Sequence, residues 1–209
     1  MLVRDIMTRK VVTVTPDTQL EEARRLMRRG RFRHLPVLEA ERVVAVLTDR
    51  DIARVLGDAV DGAAGEPRRP VREAMSGPVV TVTVFDPIED AARIMEERDI
   101  GCLPVIEDGK LAGIVTESDL FHVLVWLMGL TEPGTRLELR VGRLTDVLPR
   151  VVDVLCTSRA PLHSFLVGPA RPTEPRRILL RVGTIHPAPL IAALRQVPGV
   201  EVVEPLPAA

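Results

Sequence analysis

The sequence is poor in aromatic side chains. Its 209 residues contain no Tyr, and aromatic residues make up only 2% of the chain. Single-stranded nucleic acids are bound largely by stacking of bases on aromatic rings. With a net charge of −1 as well, the protein is not expected to bind nucleic acid. The aromatic side chains are Phe32, Phe85, Phe121, Trp126 and Phe165.

Long apolar runs and clustered cysteines are also missing. No stretch approaches about 18 consecutive apolar residues, so we do not expect a membrane span. Residues 1–5 lack the regions of a signal peptide. Cys102 and Cys156 lie far apart and outside any metal-ligand spacing. We therefore expect a globular protein of the reducing cytoplasm, without a metal site.

The chain does contain an internal repeat. Residues 3–56 (repeat one) align with residues 71–124 (repeat two) at a constant offset of 68 without gaps, and 20 of the 54 pairs are identical. An ungapped match of this length indicates duplication. The expected organisation is repeat one within 1–60, a linker at 61–70, repeat two within 71–130 and a third region at 136–209.

Each copy predicts a strand, a helix, two strands and a second helix. In repeat one, Val11–Thr15 alternates aliphatic residues with Thr, a strand composition. Asp17 or Thr18 is expected to cap the first helix, and Gly30 to end it. The remaining strands and helix are predicted at 34–38, 43–47 and 49–56.

The last helix of repeat two, about 117–128, is apolar nearly all round. Such a helix is seldom left exposed. It is either buried within the chain or part of a subunit interface. We favour the interface, since a chain of this size has few places to bury a whole helix.

After residue 135 the repeat ends and a βαββαβ order begins, which is typical of ferredoxin-like modules. Pro149 falls inside the first predicted helix and is tolerated best near the first turn. The sequence thus predicts a mixed α+β protein. The strands of this third region are predicted at 136–141, 161–167, 177–182 and 200–204, and its helices at 144–155 and 187–196.

A four-residue motif, with Thr at its first position and Asp at its fourth, recurs at the same place in both copies. Thr48 and Asp51 correspond to Thr116 and Asp119, each at a strand-to-helix junction. One interpretation is a capping box that closes the helix start. The other is a nucleotide site, because a helix N-terminus favours a phosphate and an acidic residue can accept from a ribose diol.

The repeat resembles a tandem pair of CBS (cystathionine-β-synthase-type) domains, a Bateman module. The resemblance lies in Asp5-Ile6-Met7-Thr8, Leu35-Pro36-Val37 and Thr48–Asp51 with their counterparts 68 residues later. It implies an adenosyl ligand such as AMP, ADP, ATP or S-adenosylmethionine. It also implies pockets shared between the copies.

The same resemblance implies the site residues. Asp51 and Asp119 would contact the ribose, and Thr48 and Thr116 the phosphate. Arg50 and Ser118, which precede the Asp residues, can join them. The base would lie near Phe32, Arg33, Ile100, Gly101, Thr15 and Thr83.

The two copies differ in charge. Arg33 and Arg50 make the surroundings of the repeat-one motif cationic, and Arg31 can add to this charge. The repeat-two motif has Gly101 and Ser118 instead. Because Arg suits a di- or triphosphate, we expect one strong site in copy one and one weak or empty site in copy two.

The C-terminal region resembles an ACT domain, a regulatory module that often binds amino acids. A CBS pair followed by such a domain is similar to regulatory proteins of the acetoin-utilisation type. The loop before its first helix is only Gly142-Arg143, so a packing or dimerisation role is favoured over amino-acid binding.

Two functions remain open. The favoured one is a non-catalytic sensor of adenine nucleotides, a homodimer through its CBS helices, acting on an unknown target protein. The alternative is a ligand-independent adaptor. An enzyme is disfavoured, because no base, nucleophile and oxyanion donors can be assembled from the sequence.

Overall fold

The computed structural model describes residues 1–57, 69–75 and 77–203. It divides into two compact units, Met1–Phe121 and His122–Ala209. The predicted linker at 61–70 falls outside the described residues except for Arg69 and Pro70. None of the described helices is long and apolar enough to cross a membrane.

The first unit carries both repeats, and corresponding elements appear in each. Both are mixed α+β, as predicted. A short helix α1 (Val3–Ile6) precedes α2 (Leu20–Gly30), β1 (His34–Glu39), β2 (Arg42–Thr48) and α3 (Asp49–Leu56) in repeat one. Repeat two has a 3₁₀ turn (Val71–Glu73), β3 (Val82–Thr83), α4 (Ile88–Arg98), β4 (Cys102–Glu107), β5 (Lys110–Thr116) and α5 (Glu117–Leu127).

Each repeat is built on a hairpin with a two-residue loop. In β1–β2 the loop residues Ala40 and Glu41 both have positive φ, and in β4–β5 Asp108 and Gly109 do. Such loops match the right-handed twist of the strands. The hairpins carry the Thr of each motif to the start of the following helix.

The two repeats exchange their leading segments. Val3 and Met7 are buried in the core of repeat two, and Val71 and Ala74 are buried in the core of repeat one. Backbone hydrogen bonds repeat the exchange, since Val3 N donates to Asp86 O at 2.9 Å and Val71 N to Thr18 O at 2.8 Å. Each packed core therefore contains residues from both sequence repeats.

The predicted strand at Val11–Thr15 is wrong. Only Val14 forms a bridge, parallel to Val37, whereas its counterpart in repeat two is the two-residue strand β3 beside β4. The capping prediction is wrong as well, because Gln19 is the N-cap of α2 and makes no side-chain cap. Thr18 instead accepts a hydrogen bond from Thr15 N at 3.0 Å.

Gly30 is the last residue of α2, but it is not the left-handed one. Arg31 takes that conformation (φ 56°), and Asp99 does so at the end of α4 (φ 52°). A Cβ on Gly30 would lie 2.0 Å from the ring of Phe32. Glycine is therefore needed here to make room for Phe32 rather than to bend the chain.

The second unit has the predicted βαββαβ order. One face of its four-stranded antiparallel sheet packs against both helices, with Leu137, Val151, Leu180 and Leu194 in the core. The elements of this unit are β6 (Thr135–Val141), α6 (Leu144–Ser158), β7 (Leu162–Val167), β8 (Arg176–Val182), α7 (Ala188–Arg195) and β9 (Val200–Val203). The sheet order is β7-β8-β6-β9.

Pro149 lies inside α6, beyond its first turn, which differs from the expectation. A proline removes the hydrogen bond to the carbonyl four residues earlier, here that of Thr145. Both residues are exposed, so water can satisfy the carbonyl. The loop before α6 is Gly142-Arg143, as predicted.

Candidate functional site

The repeat-two motif forms a closed set of hydrogen bonds at the junction of β5 and α5. Thr116 donates to Asp119 Oδ2 from its backbone nitrogen at 2.8 Å and from its hydroxyl at 2.7 Å. Glu117 N donates to Gly101 O at 3.1 Å, which fixes the helix start against the chain before β4. Within the described residues, Asp119 Oδ1 forms no hydrogen bond.

The repeat-one motif has the same geometry with one addition. Thr48 donates to Asp51 Oδ2 from its nitrogen at 3.0 Å and from its hydroxyl at 2.7 Å. Arg54 then donates to Asp51 Oδ1 at 2.9 Å and to Ala74 O at 3.2 Å. Both carboxylate oxygens of Asp51 are thus engaged inside the protein, one in the capping box and the other by Arg54.

A cavity of about 280 Å³ opens at the repeat-two motif. It is bordered by Thr116, Ser118 and Asp119 of repeat two and by Phe32 and Arg33 of repeat one. A cavity of this size is close to the lower end of the range for small-molecule sites, roughly 300–1,000 Å³. Both repeats contribute to it, as the resemblance implied.

The exchanged segments explain why residues of repeat one reach this motif. Thr8 pairs with Ile114 of β5 through two backbone hydrogen bonds of 2.9 and 3.0 Å. The chain after Thr8 therefore runs along β5 and brings Lys10, Val11 and Val12 to the cavity.

The distribution of charge differs from the sequence expectation. Arg33, which was assigned to the surroundings of Thr48 and Asp51, borders the cavity of Thr116 and Asp119. Arg31 and Lys10 border it too. Three cationic side chains therefore lie at the motif that was expected to be the less charged one, while Arg50 remains at the start of α3.

The cavity brings together six of the predicted site residues: Phe32, Arg33, Gly101, Thr116, Ser118 and Asp119. The other six do not border it. Thr48, Arg50 and Asp51 lie at the start of α3. Thr15 bonds to Thr18, and Thr83 bonds to Asp86. Ile100 packs against the core of repeat two.

His34 is a cavity residue that the sequence did not mark. It lies beside Gly101, where an added Cβ would be 3.3 Å from both His34 Nε2 and Glu117 Oε2. Burial lowers the pKa of His34 below its usual value, and the charge of Arg33 lowers it further, against the opposing effect of Asp49 and Glu117. The imidazole is therefore neutral near pH 7.

The cavity combines polar and apolar groups. Its lining includes hydroxyls, a helix start and cations, and also the apolar Phe32, Val11 and Val12. Cys102, the nearest thiol in sequence, is buried, and burial raises the pKa of its thiol to about 12. The described residues contain no group of three or more His, Cys, Asp or Glu that could hold a metal ion.

Comparison with known proteins identifies relatives of this chain. The chain is 37% identical over 118 residues to the CBS domain-containing protein YhcV of Bacillus subtilis, which covers 56% of this chain and 81% of YhcV. This chain spans less than half the length of several other curated relatives that it matches.

Comparison with solved structures also finds CBS-domain proteins. The CBS domain pair of protein MJ0100, solved with 5′-methylthioadenosine and S-adenosyl-L-methionine, matches with a TM-score of 0.53 and 25% identity over 59% of this chain and 95% of that one. A Vibrio cholerae protein named for acetoin utilisation (AcuB) matches with a TM-score of 0.53 and 30% identity over 64% of this chain and 98% of that one.

The family model for the CBS domain matches twice, at residues 3–58 and 71–125. These two matches cover more than half of the chain and coincide with the two repeats. The protein belongs to the CBS-domain family and carries a tandem pair of these domains.

Proposed function

We propose that this protein is a non-catalytic regulator that senses an adenine nucleotide in the cleft between its two CBS repeats. The observation that carries the proposal is the cavity that joins Thr116, Ser118 and Asp119 with Arg33 and Lys10. A helix start with hydroxyls and cations suits phosphate. The Asp119 carboxylate suits a ribose diol, and the apolar wall at Phe32 suits a purine.

The proposed primary site is that of the repeat-two motif. Asp119 keeps one oxygen without a partner among the described residues, whereas Asp51 uses both of its oxygens internally. This reverses the order of affinities expected from the sequence. The other six predicted residues, Thr15, Thr48, Arg50, Asp51, Thr83 and Ile100, would form a weaker second site or none.

Charge favours a phosphorylated ligand over S-adenosylmethionine. The sulfonium and ammonium groups of S-adenosylmethionine are cationic and would approach Lys10, Arg31 and Arg33, which is unfavourable in a partly desolvated cavity. AMP, ADP and ATP bring anionic groups to the same side chains. We therefore rank the three nucleotides above S-adenosylmethionine for this chain.

The remaining parts of the proposal concern assembly and transmission. We propose a homodimer through the CBS helices, including residues 117–128. Exposed side chains in this region support it: Phe121, Leu124, Trp126 and Leu127. The nucleotide would bind one packing arrangement of the dimer better than another and so shift its population.

The C-terminal region at 136–209 is proposed as an ACT-like domain with a packing role. Its βαββαβ order and its antiparallel sheet order support this assignment. The two-residue loop before α6 argues against an amino-acid site. The proposed domain limits remain 1–60, 61–70 and 71–130 for the CBS pair and its linker.

Calorimetric titration of the purified chain with AMP, ADP, ATP and S-adenosylmethionine tests the proposal. We expect saturable binding of at least one nucleotide and its loss in the double variant Asp51→Ala with Asp119→Ala. If none of the four ligands binds to protein that has been freed of carried-over nucleotide, the sensor proposal fails.

A ligand-independent adaptor is the second candidate. The observation that favours it is that both motifs are closed by their own hydrogen bonds. Light scattering separates the two functions. An adaptor would keep the same assembly and the same thermal stability with and without nucleotide, whereas a sensor would change at least one of them.

A further inference from the structure

The four-stranded sheet of the second unit has a second face, opposite the one that packs against α6 and α7. Along β6, the buried Leu137 and Leu139 alternate with three charged residues, Arg136, Glu138 and Arg140. Successive side chains of a strand point to opposite faces of its sheet, so the charged residues lie on the second face. Together with their cross-strand neighbours on β8 they form a surface that we call the arginine face: Arg136, Glu138, Arg140, Arg177, Leu179 and Arg181.

Like charges lie directly opposite each other on the arginine face. Arg136 pairs with Arg181 across the two central strands, and Arg140 pairs with Arg177. The Cβ atoms of directly opposite residues are about 4.5–5.5 Å apart, and like charges at such positions destabilise a sheet. Two such pairs therefore lower the stability of the fold, whereas an anion bound between the members of each pair would offset their repulsion.

Glu138 is shared by two of these arginines. Arg136 Nη2 donates to Glu138 Oε2 at 2.9 Å, and Arg177 Nη1 lies 3.6 Å from Glu138 Oε1. The Glu138 side chain is 13% exposed, whereas those of Arg136 and Arg177 are 51% and 56% exposed. One largely covered carboxylate thus holds two guanidinium groups that remain open to solvent.

The other two arginines have a distant or a neutral internal partner. Arg140 Nη1 donates to Glu201 Oε1 of β9 at 3.5 Å, and Arg181 Nη2 donates to the backbone oxygen of Glu132 at 3.0 Å. The four guanidinium groups of the arginine face are therefore matched by only two carboxylates, those of Glu138 and Glu201. Because each guanidinium has five N–H donors, donors remain for an external anion.

Two leucines lie between the arginine pairs and beside them. Leu179 is between Arg177 and Arg181 along β8 and opposite Glu138, and Leu166 of β7 is opposite Leu179. Both leucines are half-buried. The two arginine pairs are about 13 Å apart, since their members are separated by four residues along each strand. The face therefore offers two cationic positions with an apolar position between them.

We propose that the arginine face binds an acidic segment of a partner protein. Each arginine pair holds one carboxylate, and Leu179 and Leu166 contact an apolar side chain between the two. In an extended segment, residues i and i+4 are also about 13 Å apart and point the same way as residue i+2. A segment with acidic residues at i and i+4 and an apolar residue at i+2 therefore fits the spacing, and guanidinium groups bind carboxylates with two parallel hydrogen bonds. This inference goes beyond the sensor proposed above and does not rest on nucleotide binding.

A nucleic acid fits the arginine face less well than an acidic segment does. Proteins bind single strands largely by stacking the bases on aromatic side chains. Phe165 is the single Phe, Tyr or Trp in the four strands, and it packs against the core on the helix side of the sheet. The apolar groups of the arginine face are leucines, which suit a peptide side chain.

Fluorescence anisotropy of labelled peptides with the full chain, without nucleotide, tests the proposal. The Glu peptide has nine residues, with Glu at the third and seventh positions, Leu at the fifth and Ser elsewhere. The Gln peptide has Gln in place of both Glu. We expect saturable binding of the Glu peptide, and binding of the Gln peptide that is at least about tenfold weaker. The affinity of the Glu peptide should fall as salt is added, because exposed charges are screened.

Three variants and a matched control locate the binding. Arg136→Gln and Arg177→Gln each remove one guanidinium and leave Glu138 with one partner, and each should weaken the Glu peptide about fivefold or more. Glu138→Gln should strengthen it about two- to fivefold, because the internal carboxylate that occupies the same guanidinium groups is removed. Arg150→Gln is the control, since Arg150 is exposed on α6 and away from the arginine face, and its effect should be less than about twofold.

The proposal is overturned if the Glu peptide does not bind at about 1 mM, or if the Gln peptide binds equally well. It is also overturned if Arg136→Gln and Arg177→Gln, shown by circular dichroism to be folded, bind the Glu peptide like the parent chain. Tighter binding of a twelve-nucleotide single strand, lost in the same two variants, would assign the face to nucleic acid instead. Self-association lost in these variants would assign it to a second copy. Nucleotide titration of the same samples reports separately on the sensor.

Discussion

Arg54 links the Asp51 carboxylate to the carbonyl oxygen of Ala74, at 2.9 and 3.2 Å respectively. The position equivalent to Arg54 in repeat two is His122, and no such link exists there among the described residues. The two motifs are therefore alike in their hydrogen-bonded Thr and Asp, and unlike in what surrounds the Asp.

This difference predicts separate effects for the two aspartates. Asp119→Ala should lower nucleotide affinity by at least about tenfold, because it removes the acceptor proposed for the ribose. Asp51→Ala should lower affinity far less, yet lower the free energy of unfolding by about 1–2 kcal/mol through loss of its cap and of the Arg54 contact. Calorimetry and urea unfolding measure the two quantities. Equal losses of affinity would contradict the assignment of the primary site.

The contribution of Arg33 to ligand affinity should increase with the number of phosphates on the ligand. If its guanidinium contacts the phosphate end of the ligand, Arg33→Ala will weaken ATP binding more than AMP binding, by a further factor of roughly three to ten. Titrations of the parent and the variant with AMP and with ATP measure this factor. At a higher salt concentration the factor should shrink, because an exposed charge is screened by salt. Arg25→Ala, an exposed Arg that does not border the cavity, serves as the control. The same loss for AMP and ATP would remove Arg33 from the phosphate end.

Gly113 marks the place where the leading segment crosses β5. A Cβ there would lie 2.7 Å from Met7 Sδ and 2.9 Å from the backbone oxygen of Thr8. Because a backbone atom cannot move away cheaply, Gly113→Ala should lower the free energy of unfolding by about 1–3 kcal/mol. Gly142→Ala, with nothing within 4 Å of the added carbon, should stay within about 0.5 kcal/mol. Chemical denaturation of both variants checks the prediction.

His34 should make stability depend on pH. Its pKa is lowered in the folded protein, mainly by burial and then by Arg33, so the unfolded chain binds a proton more readily. Stability from this group is present above about pH 6.5, the unfolded value, and is lost as pH falls towards the folded pKa. His34→Gln should flatten the unfolding free energy between pH 7.5 and about 5. If the slope survives in His34→Gln and disappears in His122→Gln, the assignment to His34 is wrong.

The two thiols should differ in reactivity. Cys102 is buried, and burial raises the pKa of its thiol to about 12, with Glu117 adding to the shift. Cys156 is exposed. Native protein at pH 8 should therefore react with one equivalent of a thiol reagent, at Cys156, and with two after unfolding, because only the thiolate is nucleophilic. Mass spectrometry of the labelled peptides identifies the site.

The sequence was most informative where local chemistry decides the structure. The hairpins and α3 appear where periodicity placed them, and the bounds of α3, Asp49–Leu56, agree residue for residue. The Thr and Asp of both motifs also adopt the capping geometry that their spacing predicts. These features depend on contacts within a few residues.

The incorrect predictions concern features whose structure is decided by contacts between residues far apart in the sequence. The strand predicted at Val11–Thr15 is reduced to one bridge at Val14, because the preceding segment is held on β5 of the other repeat. Arg33 of repeat one borders the cavity of Thr116 in repeat two, and no spacing along the chain reveals this contact. Pro149 is tolerated in the second turn of α6 because that face is exposed, and single-sequence patterns report such burial poorly.

The exchange of Val3 and Met7 for Val71 and Ala74 makes each repeat depend on the other for its core. A chain with one repeat alone would lack the segment that closes its own core, and its leading residues would have no core to enter. Separation of the two repeats would therefore expose apolar surface in both. The cavity at Thr116, which both repeats border, would be lost with their packing.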